Sequence, residues 1–291
     1  MPPETNQESF PPTSSNPQQS IYIIRHGDRW DYLHPEWKKN AERKGDPSLS
    51  SLGHEQARQA GRYLDQIFVK EEISSHNITL LSSPFLRTIQ TSNELLAEMK
   101  QTANDNDDGN GDDNDNTTAA DSIKIQPEHS IFELDLWGQD LHSSLPEMEE
   151  RQCYFPRIDG EYQTMFVPSL PETKKEFFER CDLAMEHISR EFPCGNDKNR
   201  VIILVTHAAC CIGLVKSASG VALEEINPAA PCALYKLTRM TNENEWDIDH
   251  HSKVGGMNGF IGHMKDVGTF TRPWNNFGNR DIDNGYTGPP K

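Results

Sequence analysis

The chain has 291 residues, a formal net charge of -17 and 34% hydrophobic residues. That length suits one large α/β domain or two small ones, and the low apolar share predicts segments that lie outside the core. The acidic field argues against nucleic acid or an anionic membrane as a direct partner, since both carry the same sign of charge.

Residues 1–19 hold five prolines and no apolar run, which predicts a disordered tail and no secretory leader. Ile21-Tyr22-Ile23-Ile24 then reads as a buried strand, and Arg25-His26-Gly27 stands where it ends. A histidine placed there between a cation and a glycine that permits a tight turn suits a nucleophile approaching a phosphate. Ala57, Ala60, Leu64, Ile67 and Phe68 line one face of a helix, and Phe85, Ile89, Leu96 and Met99 line one face of a second. Between them, Ile78–Ser82 reads as a strand followed by Ser83-Pro84, a helix start with Ser83 as N-cap, and Arg87 about one turn in. A cation so near the positive end of a helix dipole is unfavourable unless an anion binds beside it.

Residues 101–121 form an Asn/Asp/Gly-rich insert, with six aspartates and no basic residue in 104–116, and are expected to be a solvated loop. Asn104, Asn106, Asp108, Gly109 and Asp115 fall at EF-hand offsets. The first position should be Asp and the last Glu, however, and no helix pair flanks the insert, so low complexity is the better reading. Ile123–Gln126 is the third predicted strand, and Glu133 follows in the apolar stretch Ile131-Phe132-Glu133-Leu134-Asp135-Leu136-Trp137. Phe177, Cys181, Ala184 and Ile188 mark a third helix. Val201–Thr206 reads as a fourth strand, His207 opens the helix Ala208–Ala218, and Ala233–Thr238 with Trp246–His250 reads as a late hairpin at the sheet edge. Residues 273–291, rich in Gly, Asn and Pro, form a C-terminal tail. Domain boundaries of 20–272, with 101–121 as an insert, follow. The six cysteines form no CxxC pair, which suits reduced thiols in a cytoplasmic or nuclear setting. No apolar run approaches membrane-spanning length.

Alternating strands and helices predict an α/β fold: a three-layer α/β/α sandwich around a mainly parallel sheet. Ligands of such sheets bind at the carboxyl ends of the strands. That rule gathers His26, Ser83, Arg87, Glu133 and His207. Singly, Arg87 reads as a surface arginine and His207 as a core histidine.

Four separated stretches in this order resemble the histidine phosphatase superfamily, the phosphoglycerate-mutase-like fold. They are Arg25-His26-Gly27, Pro47 to Ala57, Ser83 to Thr91, and Val205-Thr206-His207-Ala208. The resemblance covers about residues 20 to 250. It implies that His26 is the nucleophile, that Arg25, Arg87 and His207 bind the phosphate, and that no cofactor is needed. Arg29, in Arg25-His26-Gly27-Asp28-Arg29, resembles an additional pocket arginine of the branch containing Sts-type tyrosine phosphatases and plant-like members. Mutases usually carry a small polar residue there, so the resemblance favours a phosphatase over a phosphoglycerate-mutase-type phosphotransferase. The family's general acid follows the third strand, which points to Glu133, with Asp135 as competitor.

Physical chemistry fits these roles. Phosphoryl transfer needs positioned cations and an in-line nucleophile. The arginine field predicts a lowered pKa for His26, and the apolar setting predicts a raised one for Glu133. A metal held by His26, Asp28 and His207 is disfavoured by the adjacent arginines. Trp30, Tyr32, Trp37, Tyr154, Phe155 and Tyr162 are candidates for an aromatic entrance, though at least half are expected to pack between cap and body. The expected substrate is a phosphate monoester, small or on a phosphoprotein. The rival expectation is an inactive phosphatase fold serving as an interaction scaffold, an option suggested by the resemblance to a related domain in a subunit of a fungal RNA polymerase III transcription factor. The oligomeric state is not readable from the sequence.

Overall fold

The computed structural model describes residues 18–99, 122–136, 138–193, 200–226, 228–240 and 246–248. Most of the N-terminal tail, the acidic insert with its calcium reading, and the C-terminal tail lie outside these residues.

Strand β1 (Gln18–Arg25) leads through two short helices, α1 (Trp30–Leu33) and α2 (Trp37–Asn40), to the long helix α3 (Ser51–Lys70). Strand β2 (Ile78–Ser82), helix α4 (Leu86–Glu98) and strand β3 (Ile125–Pro127) follow. After helices α5 (Met148–Tyr154) and α6 (Lys174–Glu191) come β4 (Arg200–Thr206), α7 (Ala208–Ser219), β5 (Leu234–Met240) and β6 (Asp247–Ile248). The sheet order is β3-β2-β4-β1-β5-β6. β3, β2, β4 and β1 run parallel, and β5 and β6 add antiparallel at one edge.

Side-chain alternation along the strands builds both hydrophobic layers. Ile21, Ile23, Ile202 and Leu204 pack with Phe177, Cys181 and Ile188 of α6 and Ile212 of α7. Tyr22, Ile24, Ile203 and Val205 pack with Ala57, Leu64 and Phe68 of α3 and Leu95 of α4. The sheet is therefore covered on both faces, which accounts for the near-continuous apolar runs in its central strands. The three-layer α/β arrangement is as the sequence predicts. The first strand starts earlier than its apolar run, because Gln18 and Gln19 pair with Met240 and Arg239 of β5. No described helix is long and apolar enough to cross a membrane.

Two glycines set the spacing at the carboxyl end of the sheet. A Cβ on Gly27 would lie 2.4 Å from the carbonyl oxygen of Gly53, and one on Gly53 would lie 2.2 Å from that of Asp28. The turn after β1 and the start of α3 are in backbone contact there.

Candidate active site

β1 ends by delivering a histidine. The His26 amide donates to Thr206 O at 2.9 Å, carrying the β1–β4 pairing one residue past Arg25. His26 is 1% exposed. Burial first, then the charges of Arg25, Arg87, His207 and Arg29, hold its pKa well below the ordinary imidazole value, so the ring is neutral at pH 7. Its Nδ1 lies 2.7 Å from Gly27 O. A neutral ring donates Nδ1–H to that carbonyl and keeps its lone pair on Nε2. The turn beyond is braced: Gly27 N donates to Thr91 Oγ1 at 3.1 Å, Asp28 N to Gln56 Oε1 at 2.9 Å, and Ser50 Oγ to Asp28 Oδ2 at 2.6 Å.

Three guanidinium groups surround this histidine. Arg25 donates to Ala229 O at 2.8 Å and reaches the Tyr32 hydroxyl at 3.4 Å. Arg29 makes a two-pronged bond to Asp31 at 2.9 and 2.8 Å and lies 4.7 Å over the Tyr32 ring. Arg87, in the first turn of α4, is 1% exposed. Its Nη2 lies 3.2 Å from Glu133 Oε2 and 3.3 Å from His207 Nδ1, its Nη1 3.6 Å from Asp46 Oδ1, and its Nε has no hydrogen-bond partner. Burial and then the neighbouring charge of Arg29 push its pKa down.

The start of α4 differs from the sequence expectation. Phe85, not Ser83, is the N-cap, and no side chain of its own helix caps it. Asp46 reaches across instead: its Oδ1 accepts from Leu86 N at 2.7 Å, satisfying one of the donors a helix start leaves open. Ser83 Oγ is turned to His207 Nε2 at 2.8 Å.

His207 and Glu133 meet from separate elements. His207 is fully buried at the end of β4. Its pKa is pushed down to about 4, by burial first, against the carboxylate of Glu133 and with help from Arg87. Its Nδ1 lies 3.2 Å from Glu133 Oε2. Glu133 sits in the segment after β3, which is anchored to the sheet and to α6: Thr206 Oγ1 donates to Ile131 O at 2.7 Å, and Arg180 Nη1 donates to Ser130 O at 2.8 Å. Asp135, its competitor, is fully buried and accepts from Gln139 N at 2.8 Å, serving a local turn. The Glu133 side chain keeps 24% of its surface accessible.

The raised pKa expected for Glu133 is corrected. Burial does push its carboxyl up, but His207, Arg87 and Arg29 outweigh burial and hold it well below the usual carboxylate range. Because His207 is itself neutral at pH 7, its hydrogen bond and the arginines carry that effect there.

The structure thus brings together His26, Arg25, Arg29, Arg87, His207 and Glu133. Among the described residues, His26, Glu133 and His207 each place one ligand-type atom within 4.8 Å of the others. This set replaces the His26, Asp28, His207 grouping, since Asp28 is committed to Ser50. The flanking guanidinium groups oppose a cation at that point and suit an anion. Sequence reasoning missed the roles of Asp46 and of the Ser83 hydroxyl; the first lies 40 residues from the helix it caps and the second 124 residues from the ring it meets, so neither carries a local signal.

The aromatic entrance is only partly realised. Tyr162 donates to the buried Glu128 at 2.6 Å, and Phe155 packs against the core under α3 and α4. Trp30 stacks on His34 at 3.8 Å, Tyr154 is 72% exposed, and Tyr32 alone of the six touches two of the site arginines.

Residues 21–109 match the sequence model of the histidine phosphatase superfamily, branch 1. No curated protein matches the chain in sequence. Among solved structures, the fold is similar to the ecdysone phosphate phosphatase of Bombix mori in complex with tungstate. That likeness has 19% identity and a TM-score of 0.56, over 79% of this chain and 92% of the other. Phosphoglycerate mutase from Bacillus anthracis (16% identity, TM-score 0.49, 86% and 98% covered) and mycobacterial glucosyl-3-phosphoglycerate phosphatase (15%, 0.47, 80% and 97%) are further neighbours. The sequence-model match and the shared fold support the histidine phosphatase superfamily.

Proposed function

We propose that this protein hydrolyses phosphate monoesters through a phosphohistidine on His26, in the manner of the Sts-type branch of the superfamily. The observation that carries this reading is a neutral, fully buried histidine, its Nδ1 bonded to Gly27 O, among three arginines and within reach of a His207–Glu133 pair.

In the first step Nε2 of His26 attacks phosphorus and the P–O bond to the alcohol breaks. Arg25, Arg29 and Arg87 offset the charge on the equatorial oxygens. Glu133 gives its proton to the departing alkoxide. A carboxyl held low by arginines is a poor acid, but the arriving phosphate dianion cancels much of that field. Burial then dominates, and the carboxyl takes up a proton with the substrate. In the second step water attacks the phosphohistidine, Glu133 accepts its proton, and the P–N bond breaks to release phosphate and restore His26. Arg29, fixed by Asp31, is the feature that favours a phosphatase over a mutase.

The test is hydrolysis of nitrophenyl phosphate with EDTA present, comparing the wild type with His26→Ala. Turnover in the wild type and background in the variant is the expected result. Background rates in both would instead promote the scaffold reading, and bisphosphoglycerate-dependent interconversion of 3- and 2-phosphoglycerate the mutase reading.

A further inference from the structure

Ser83 is fully buried and its backbone is pinned on both sides. Its amide donates to Val205 O at 2.9 Å, and its carbonyl accepts from Thr88 Oγ1 at 2.6 Å and Ser82 Oγ at 3.0 Å. Its hydroxyl therefore has little freedom, and it sits 2.8 Å from His207 Nε2. The other nitrogen of that ring, Nδ1, faces Glu133 Oε2 at 3.2 Å and Arg87 Nη2 at 3.3 Å, on the side of His26.

A neutral imidazole carries one proton, and the two placements are not equivalent here. With the proton on Nδ1, His207 donates to the Glu133 carboxylate and Nε2 accepts from the Ser83 hydroxyl. The ring proton and the Ser83 proton then each have an acceptor, and Arg87 Nη2 keeps Glu133 Oε2 at 3.2 Å as its own. With the proton on Nε2, that N–H donates to Ser83 Oγ, the Ser83 proton must find another acceptor, and the Nδ1 lone pair, though it can accept from Arg87 Nη2 at 3.3 Å, also faces the Glu133 carboxylate at 3.2 Å. In a fully buried pair an unplaced donor and facing lone pairs are both costly.

We propose that Ser83 is a positioning residue that fixes His207 as its Nδ1–H tautomer, so that His207 offers the phosphate a donor and not a lone pair. The inference rests on the phosphate-binding reading above for its purpose, though not for its geometry. A phosphate oxygen arriving beside Arg87 meets Nδ1–H, which transfers from the Glu133 carboxylate to the phosphate as that carboxyl takes up its proton. Ser83, Arg87 and Glu133 then act on one ring: the serine sets where its proton lies, and the other two define the side on which it is used.

The experiment uses the full chain labelled with nitrogen-15 in histidine, with the His207 ring signals identified by their absence in His207→Gln. At pH 7 the wild type is expected to carry its His207 proton on Nδ1, and Ser83→Ala to show a mixture of tautomers. Inorganic phosphate, titrated by calorimetry, should bind Ser83→Ala about tenfold more weakly, the size of one lost hydrogen bond to a charged group. A purely structural serine would lower the melting temperature and leave the tautomer alone. An Nε2–H ring in the wild type overturns the proposal even if the variant does not fold. So does an unchanged tautomer with unchanged phosphate affinity in Ser83→Ala. Neither readout requires turnover: an inactive wild type with the proton on Nδ1 would sink the hydrolytic reading and leave this one standing.

Discussion

Two buried arginines, Arg87 and Arg180, sit on the same scaffold and are solvated by the protein in opposite ways. Arg180 on α6 makes a two-pronged pair with Glu172 at 2.8 and 2.6 Å and donates its remaining arm to Ser130 O at 2.8 Å. Burial pushes its pKa down, yet Glu172 outweighs burial and the charge is held more firmly than in water. Arg87 on α4 is as deeply buried, but its contacts to Glu133, His207, Gly45 and Asp46 are all 3.2 Å or longer, and one of its nitrogens has no hydrogen-bond partner. Its pKa falls. A buried charge with good bonds on every arm is scaffolding; one with long bonds and a spare donor is shaped for a ligand that the protein itself does not supply.

The strongest way to break that contrast is to remove each arginine in turn. Arg87→Ala should cost about 10²–10³ in kcat for nitrophenyl phosphate while leaving the thermal midpoint unchanged or higher. Arg180→Ala should lose about 3–5 kcal/mol of stability, since it strands Glu172. Denaturant melts and steady-state kinetics on both variants check this, and equal destabilisation by the two would erase the distinction.

A second comparison lies between leaving groups. Glu133→Gln should slow alkyl phosphates about a hundredfold and nitrophenyl phosphate much less, because nitrophenolate departs without a proton. Equal losses on both substrates would remove Glu133 as the acid.

The smallest expected effect concerns Asp46, the carboxylate beside Arg87. Burial pushes its pKa up from about 3.8 to about 6, despite Arg87 and the Leu86 amide. A folded-state pKa above the unfolded value means the folded protein favours the protonated form. The stability it contributes is fully present below 3.8 and is lost as pH rises through 6. Asp46→Asn, which keeps an acceptor for Leu86 N, should then be more stable than the wild type at pH 8 by up to about 3 kcal/mol. The gap should close by pH 4. Urea melts at both pH values measure it; a variant less stable at pH 8 would show that the pairing with Arg87 outweighs burial.

The parts legible in sequence are those set by local pattern. β2 spans Ile78–Ser82 as its apolar run predicts; His26, Arg87 and His207 each follow a predicted strand, and the motifs around them, taken together, set them apart from a surface arginine and a core histidine. What was not legible depends on partners distant in the chain. Gln18 and Gln19 join β1 because β5, and for Gln19 also β4, lies beside them, and Gln19 Oε1 accepts from Arg239 at 2.8 Å. Asp46 caps a helix 40 residues on, and Ser83 reaches a ring 124 residues away. The pKa of Glu133 depended on His207, Arg87 and Arg29, from three different segments, while its own neighbours in sequence suggested an apolar site.

The paired glycines at positions 27 and 53 bear on how the protein can change. Each excludes a side chain because the other's segment already fills the space. A first substitution at either position collides with backbone, and a second at the other cannot relieve it, since it adds volume where volume must be removed. The two positions therefore form a closed gate in sequence space. A lineage could vary the acid, the arginines or the entrance stepwise, while the seam beside the nucleophile stays fixed.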